Sequence, residues 1–133
     1  MKEIWNRYDE SNIPNDNYEV AEVKVNSEGT KVILIGIKNT VTVKFSTIDS
    51  LRITDEGKRI KTYHDAKGIQ EYRKDFYGNP VFKVENSEYV EWIVEESAGF
   101  YTDMQHYAIV TINDIVDILD TFPPEFTIEE FTE

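Results

Sequence analysis

Nucleophilic catalysis needs a serine, threonine or cysteine beside a base, and this chain supplies no cysteine and only two histidines, His64 and His106. Neither accompanies a glycine-flanked serine of the elbow type. The six glycines form no phosphate-cradling cluster. His64 stands in Tyr63-His64-Asp65, where the acid could orient the imidazole, but adjacent side chains diverge in regular structure, so a surface histidine is the plainer expectation. His106 opens an apolar run and is expected at a strand edge, hydrogen-bonded to backbone. Asp114, Asp117 and Asp120, spaced by three, would lie on neighbouring turns of one helical face and could offer oxygens to a hard cation. The same spacing describes the solvated side of an amphipathic helix, which is the reading adopted. Asn15-Asp16-Asn17 and Asp55-Glu56-Gly57 lack the ligand spacing of a calcium loop and read as turns. Glu95 and Glu96 suggest the paired acids of glycoside hydrolysis, yet consecutive helical residues diverge by about 100° and cannot oppose each other across one bond. No catalytic, cofactor-binding or metal-binding residue is assigned, and the chain is expected not to be an enzyme.

What remains near Trp92 is an aromatic and acidic cluster of Trp92, Glu95, Glu96, Phe100, Tyr101 and Asp103 at a helix end and the loop after it. Interface hot spots are rich in Trp and Tyr, and acids around them select a basic partner. Trp92, Glu95, Glu96, Tyr101 and Asp103 are the candidate partner-binding residues. The competing expectation places half or more of these aromatics in the core.

The charge distribution bears on both readings. The 133 residues carry 26 acids and 14 bases, a net charge of -12. Residues 1–50 hold eight acids and six bases, residues 51–80 five acids and seven bases, and residues 81–133 thirteen acids and one base, Lys83. All the net negative charge therefore comes from the last segment, after a locally basic middle. Nucleic acid and anionic membrane would be repelled by that field. It could steer a basic partner, or serve as a solubility coat. No uncharged stretch approaches the roughly 20 apolar residues of a bilayer span, the first residues lack a signal peptide's apolar core, and the absence of cysteine makes a reducing cytoplasm the expected compartment.

The elements that must position these residues follow from periodicity. With 40% hydrophobic and 13% aromatic residues, the chain reads as one globular domain over 1–133, with 1–16 a polar lead-in and 127–133 an acidic tail, both candidates for mobility. Residues 18–25 alternate, with Ala21, Val23 and Val25 inward and Glu22 and Lys24 outward. Residues 31–38 are apolar on both faces and suit a strand covered on both sides. Val41, Val43 and Phe45 alternate with Thr42, Lys44 and Ser46 to complete a meander, and a fourth strand is expected over 48–54. Residues 58–76 allow helix or irregular structure, and 81–85 a short strand. Asn86 or Ser87 caps a helix from about 88 to 97, ending at Gly99. Residues 106–111 read as a buried strand. In 113–121 a wheel gathers Ile115, Val116, Ile118 and Leu119 on one arc, which favours a short helix capped by Asn113; a strand paired back on the preceding one is the alternative. The expected fold class is α+β, a mainly antiparallel sheet begun by an N-terminal meander and packed by one or two short helices.

Glu91-Trp92-Ile93-Val94-Glu95-Glu96-Ser97, then His106-Tyr107-Ala108-Ile109-Val110-Thr111, then Asp114 to Leu119 before Pro123-Pro124 resembles small bacterial proteins found among the immunity partners of polymorphic toxins. The likeness covers the last third of the chain and carries no motif of assigned residues. It implies a cytosolic protein that binds and neutralises a toxin domain without catalysis. Two readings stand: an acidic binding protein of this type, or a small-molecule-binding or structural domain with an acidic solubility surface.

Overall fold

A computed structural model describes residues 2–131 as an α+β fold of mostly antiparallel sheet with three short helices. At its centre is a five-stranded antiparallel sheet in the order β1 (Ile4–Arg7), β8 (Val81–Glu85), β9 (Gln105–Val110), β10 (Asp114–Asp120), β6 (Ser50–Asp55). A four-stranded antiparallel sheet, β11 (Glu125–Glu130), β5 (Asn39–Phe45), β4 (Gly29–Ile35), β3 (Glu19–Asn26), packs on one of its faces. Short strands β2 (Asp16–Asn17) and β7 (Tyr77–Gly78) pair with each other. Helices α1 (Ile60–Asp65), α2 (Gln70–Arg73) and α3 (Glu88–Glu96) contribute the aromatic and aliphatic side chains that cover the other face. Among the described residues no helix is long and apolar enough to cross a membrane.

The pleat explains the layering. Successive strand residues point to opposite faces, so Tyr107, Ile109, Val116 and Ile118 meet Val32, Leu34, Val41, Val43 and Phe45 between the sheets. Ala108, Val110 and Ile115 point the other way, to Trp5, Tyr63, Ile69 and Tyr72. Leu119 packs with Tyr89 and Met104. Because β9 and β10 are covered on both sides, their sequences are nearly unbroken apolar runs. Each large side chain removed from water there contributes roughly 1.5–3 kcal/mol before entropy is counted.

That double cover corrects the expected helix over 113–121. Asp114–Asp120 is a strand paired on one side with β9 and on the other with β6. Val and Ile side chains branched at Cβ fit a pleated surface buried on both faces, and this outweighs the helical spacing of the acids. Asp114, Asp117 and Asp120 consequently do not share a solvated arc: Asp117 and Asp120 are buried, and they point to opposite faces of the sheet.

Several other expectations change for related reasons. β6 does not extend the meander but crosses to the five-stranded sheet beside β10. β4 is covered on one face only: Val32 and Leu34 are buried while Lys31 and Ile35 face outward. In β3 a bulge between Val20 and Glu22 changes the inward set to Val20 and Val23, leaving Ala21 and Val25 exposed. The polar lead-in contains β1, whose Trp5 is buried, and most of the acidic tail is β11, an edge strand on β5; residues 132 and 133 of that tail lie outside the described residues. The ambiguous segment 58–76 contains α1 and α2, joined through Gly68 at φ +106, where a Cβ would fall 2.2 Å from the Trp5 carbonyl oxygen. This close approach lets Trp5 N donate to the Lys67 carbonyl (2.7 Å), which ties β1 to the helical layer.

Candidate functional site

Helix α3 forms where the sequence marks it. Ser87 stands in extended geometry and its hydroxyl oxygen accepts from the Val90 amide (3.0 Å). Ala98 and Gly99, both at positive φ, end the last turn. Within the helix, Trp92 has Glu88 four residues before it and Glu95 and Glu96 three and four after it, the spacings that place side chains around one another on a helix surface. Trp92 is 54% exposed, and the loop that follows presents Phe100 at 86% and Tyr101 at 66%. Glu91, Glu95, Glu96 and Asp103 are exposed beside them. From position 84 to the end of the sequence there is no lysine or arginine. Of the predicted partner-binding residues, Trp92, Glu95 and Glu96 lie on α3, and Tyr101 and Asp103 on the loop that follows it. The expectation that half or more of the cluster's aromatics enter the core is not met: Trp92, Phe100 and Tyr101 are all exposed.

Beneath this surface lies a buried polar chain. Asp117 of β10, 0% exposed, accepts from His106 Nε2 through Oδ1 (2.7 Å), and from Arg59 Nη1 (2.7 Å) and Arg52 Nε (3.0 Å) through Oδ2. The other ring nitrogen of His106, Nδ1, meets Ser87 Oγ at 2.7 Å. With the Nε2 proton given to Asp117, Nδ1 accepts the Ser87 hydroxyl proton while Ser87 Oγ accepts from Val90, so every polar atom in the chain has a partner. Burial alone would raise the Asp117 pKa, but the hydrogen bond from His106 and the charges of Arg59 and Arg52 outweigh it and lower the carboxyl to about 2. The expected backbone partner for His106 is thus replaced by two side chains. His64 is exposed as expected, although its Nδ1 does reach Asp65 Oδ1 (2.7 Å).

A serine, a histidine and an aspartate in line invite comparison with a hydrolytic triad, and the geometry differs in three ways. In a triad the serine meets Nε2 and the aspartate Nδ1, whereas here the ring is used in the reverse sense. The serine oxygen is engaged as a helix cap. The aspartate is shared with two guanidinium groups, which reduces its support for an imidazolium. What the chain does mechanically is fasten α3 to the sheet. His106 lies edge-on between Trp5 (5.9 Å) and Tyr89 (5.8 Å). Arg52 then covers the Tyr89 ring at 4.2 Å, and Tyr89 stacks on Trp92 with ring centres 6.2 Å apart. The exposed indole is therefore held by a stack that starts in the buried network. Sequence reading missed Arg52, Arg59 and Asp117 as its members; the one local signal was Asp117 flanked on both sides by the apolar pairs Ile115-Val116 and Ile118-Leu119.

A cleft of about 720 Å³ opens beside this network, lined among others by Asn6, Arg7, Lys83, Glu85, Ser87 and His106. Its charges are mixed, and its Ser87 and His106 atoms are those already paired. Among the described residues no group of three or more histidine or acidic side chains is placed to hold a metal ion. Comparison of the chain with protein-family models, curated proteins and solved structures found no match.

Proposed function

We propose that the chain is a non-enzymatic binding protein of the immunity or inhibitor type, acting in the cytoplasm, whose α3 end docks on a basic protein partner such as a toxin domain. The observation that carries this reading is the exposure of Trp92, Phe100 and Tyr101 among Glu88, Glu91, Glu95, Glu96 and Asp103, in a segment without a single lysine or arginine. Aromatic anchors rimmed by acids suit a partner surface of lysines and arginines, since the rings supply area at low entropic cost and the acids supply steering and register. The buttressing of Trp92 through Tyr89 and Arg52 favours the same reading, because a held side chain loses less freedom on docking. The same acid-rich face disfavours nucleic acid and anionic membrane as partners.

The test is capture of partners from the source cell, including products of neighbouring reading frames, by the wild-type protein and by a Glu95→Lys/Glu96→Lys variant. The expected result is a basic protein retained at low salt, released by high salt, and lost at least tenfold with the variant, whose thermal stability stays within a degree or two because both positions are exposed. Capture that is indifferent both to salt and to charge reversal would overturn the acidic docking face.

A further inference from the structure

The four-stranded sheet is open on one side. β3 is its outer strand, and among the described residues no backbone group pairs with the far edge of its eight residues. The two-residue turn Ser27-Glu28 closes on the pair Asn26 and Gly29, so Asn26, Lys24 and Glu22 are the residues bonded to β4, and Val23 and Val25 turn their amides and carbonyls to the open edge. Val25 is also 57% exposed. On the outward face of the sheet, Lys24, Lys31 and Lys44 stand directly opposite one another across β3, β4 and β5. Like charges placed in such a row destabilise a sheet. Glu125, opposite Lys44, closes the row at the β5 end. At the β3 end the row is open: among the described residues Lys24 has one acid, Glu22 of its own strand, 3.8 Å away with both side chains about half exposed. A strand added on this side is therefore selected by two demands, an acid opposite Lys24 and a small residue opposite Val25. The other edges are less suited to pairing with themselves. The far side of β1 is taken by Lys67, whose amide donates to the Glu3 carbonyl (2.9 Å) and whose carbonyl accepts from the Trp5 amide (2.7 Å). β6 gives its one base, Arg52, to Asp117. β11 carries Glu125, Glu129 and Glu130 and no base, so self-pairing would set acid against acid.

We propose that β3 pairs antiparallel with β3 of a second copy of this chain about a two-fold axis at Val23, joining the two four-stranded sheets into one. Val23 then faces Val23 of the second copy, and each donates its edge amide to the other's carbonyl, as their orientation toward the open edge requires. Lys24 faces Glu22 of the second copy, and Glu22 faces its Lys24, so the symmetry makes both contacts at once and closes the lysine row with an acid at each end. Val25 falls opposite Ala21, the small exposed residue at the bulge. A bulge and an edge lysine are devices that keep a sheet from joining with arbitrary strands; here they are met by the strand's own sequence read in the opposite direction. The pairing uses no residue of the α3 surface, so either assignment can fail without the other.

The test is sedimentation velocity on the full chain at low salt, from about 10 µM to about 1 mM, with amide hydrogen exchange followed at both ends of that range. The expected result is a concentration-dependent shift from monomer to dimer, with the Val23 and Val25 amides slowed at the high concentration and the edge amides of β11 unchanged. Glu22→Lys and Lys24→Glu should each weaken the dimer by about tenfold or more, since either one turns two cross-strand attractions into repulsions. The double variant Glu22→Lys/Lys24→Glu should restore it, and the two single variants mixed in equal amounts should pair with each other, because every cross-strand charge is then opposed. Both positions are exposed, so the melting temperature of each variant at the low concentration should stay that of the wild type. A monomer throughout the range, a dimer that leaves the Val23 and Val25 amides unprotected, a dimer indifferent to the single charge reversals, or single variants that neither the double substitution nor mixing rescues would each overturn the assignment.

Discussion

On one face of the five-stranded sheet, Tyr107, Ile109, Val116 and Ile118 press against the aliphatic and aromatic side chains of β4 and β5. On the other face the same two strands set His106 and Asp117 among Trp5, Tyr89 and the two arginines. The first interface is held by area, which is non-directional and tolerates small changes of shape. The second is also packed by apolar side chains, but around His106 and Asp117 it adds donors and acceptors that must all be present at once, because a buried charge left alone is far more costly than a lost methyl group. Both faces bury apolar area, whereas the polar network on the second fixes where α3, and with it Trp92, is placed. The two also differ in how they answer acid. Asp117, ringed by cations, is lowered to about 2. Asp120, near the end of the same strand on the opposite side, has no cation partner among the described residues; burial, with the nearby charge of Asp49, raises its pKa despite backbone donors at Phe122 and Thr121.

The largest rupture of this contrast should come from Asp117→Ala, which strands His106 and Arg59 inside the protein. A loss of about 3–5 kcal/mol is expected in urea unfolding, accompanied by a loss of the near-ultraviolet signal from Trp5 and Trp92; a loss below about 1 kcal/mol would mean the network is an ornament of the fold. Acid titration should have the next largest effect. Asp117 has a folded pKa below its unfolded value of about 3.9, so its contribution is full above that value and is withdrawn as pH falls from about 4 toward 2, removing about 2 kcal/mol. Asp16, lowered by the amides of Lys38, Ile37 and Asn17 against the effect of burial, works in the same direction. Unfolding free energy measured across that range should therefore fall, and fall less in Asp117→Asn than in the wild type.

The apolar face should answer more gently. Ile118→Val removes one buried methylene and is expected to cost about 1 kcal/mol, with α3 undisturbed in its amide spectrum. The smallest effect belongs to Asp120→Asn. Because the Asp120 pKa is raised, its ionised form opposes folding above that pKa, and the amide keeps an acceptor for Phe122; a slight gain in melting temperature at neutral pH is expected, vanishing as the wild type is acidified. A loss on this substitution would show that Asp120 has a cation or donor in solution that offsets its burial.

Where the sequence was legible, the signal was local. Val41, Val43 and Phe45 alternate with Thr42 and Lys44 because β5 is buried on one face, and Val81–Glu85 and the strand at His106 were recognisable for similar reasons. Ser87 marked the start of α3 through a cap that acts three residues away. The aromatic and acidic residues of the candidate surface were visible because they lie within a dozen positions of one another. Where the sequence misled, the deciding partner was remote. Asp114, Asp117 and Asp120 carry a helical spacing, but β10 is a strand because β9 and β6 lie on either side of it, and β6 is more than fifty residues away. The bulge at Val20 and Glu22 left no mark that periodicity could detect.

By itself, then, the sequence determined the α+β class, the β4–β5 hairpin, the capped α3 helix and the concentration of acid after position 81, since each depends on neighbours within a turn or a hairpin. Tertiary structure alone decided that Asp117 would be a buried anion and not a solvated one. Its cations, Arg52 and Arg59, stand 65 and 58 positions before it, and only the crossing of β6 beside β10 brings those charges within 3.0 Å. An acid's place in a fold depends on whether opposite charge can be delivered to it, and that delivery is a property of chain topology, which no local pattern encodes.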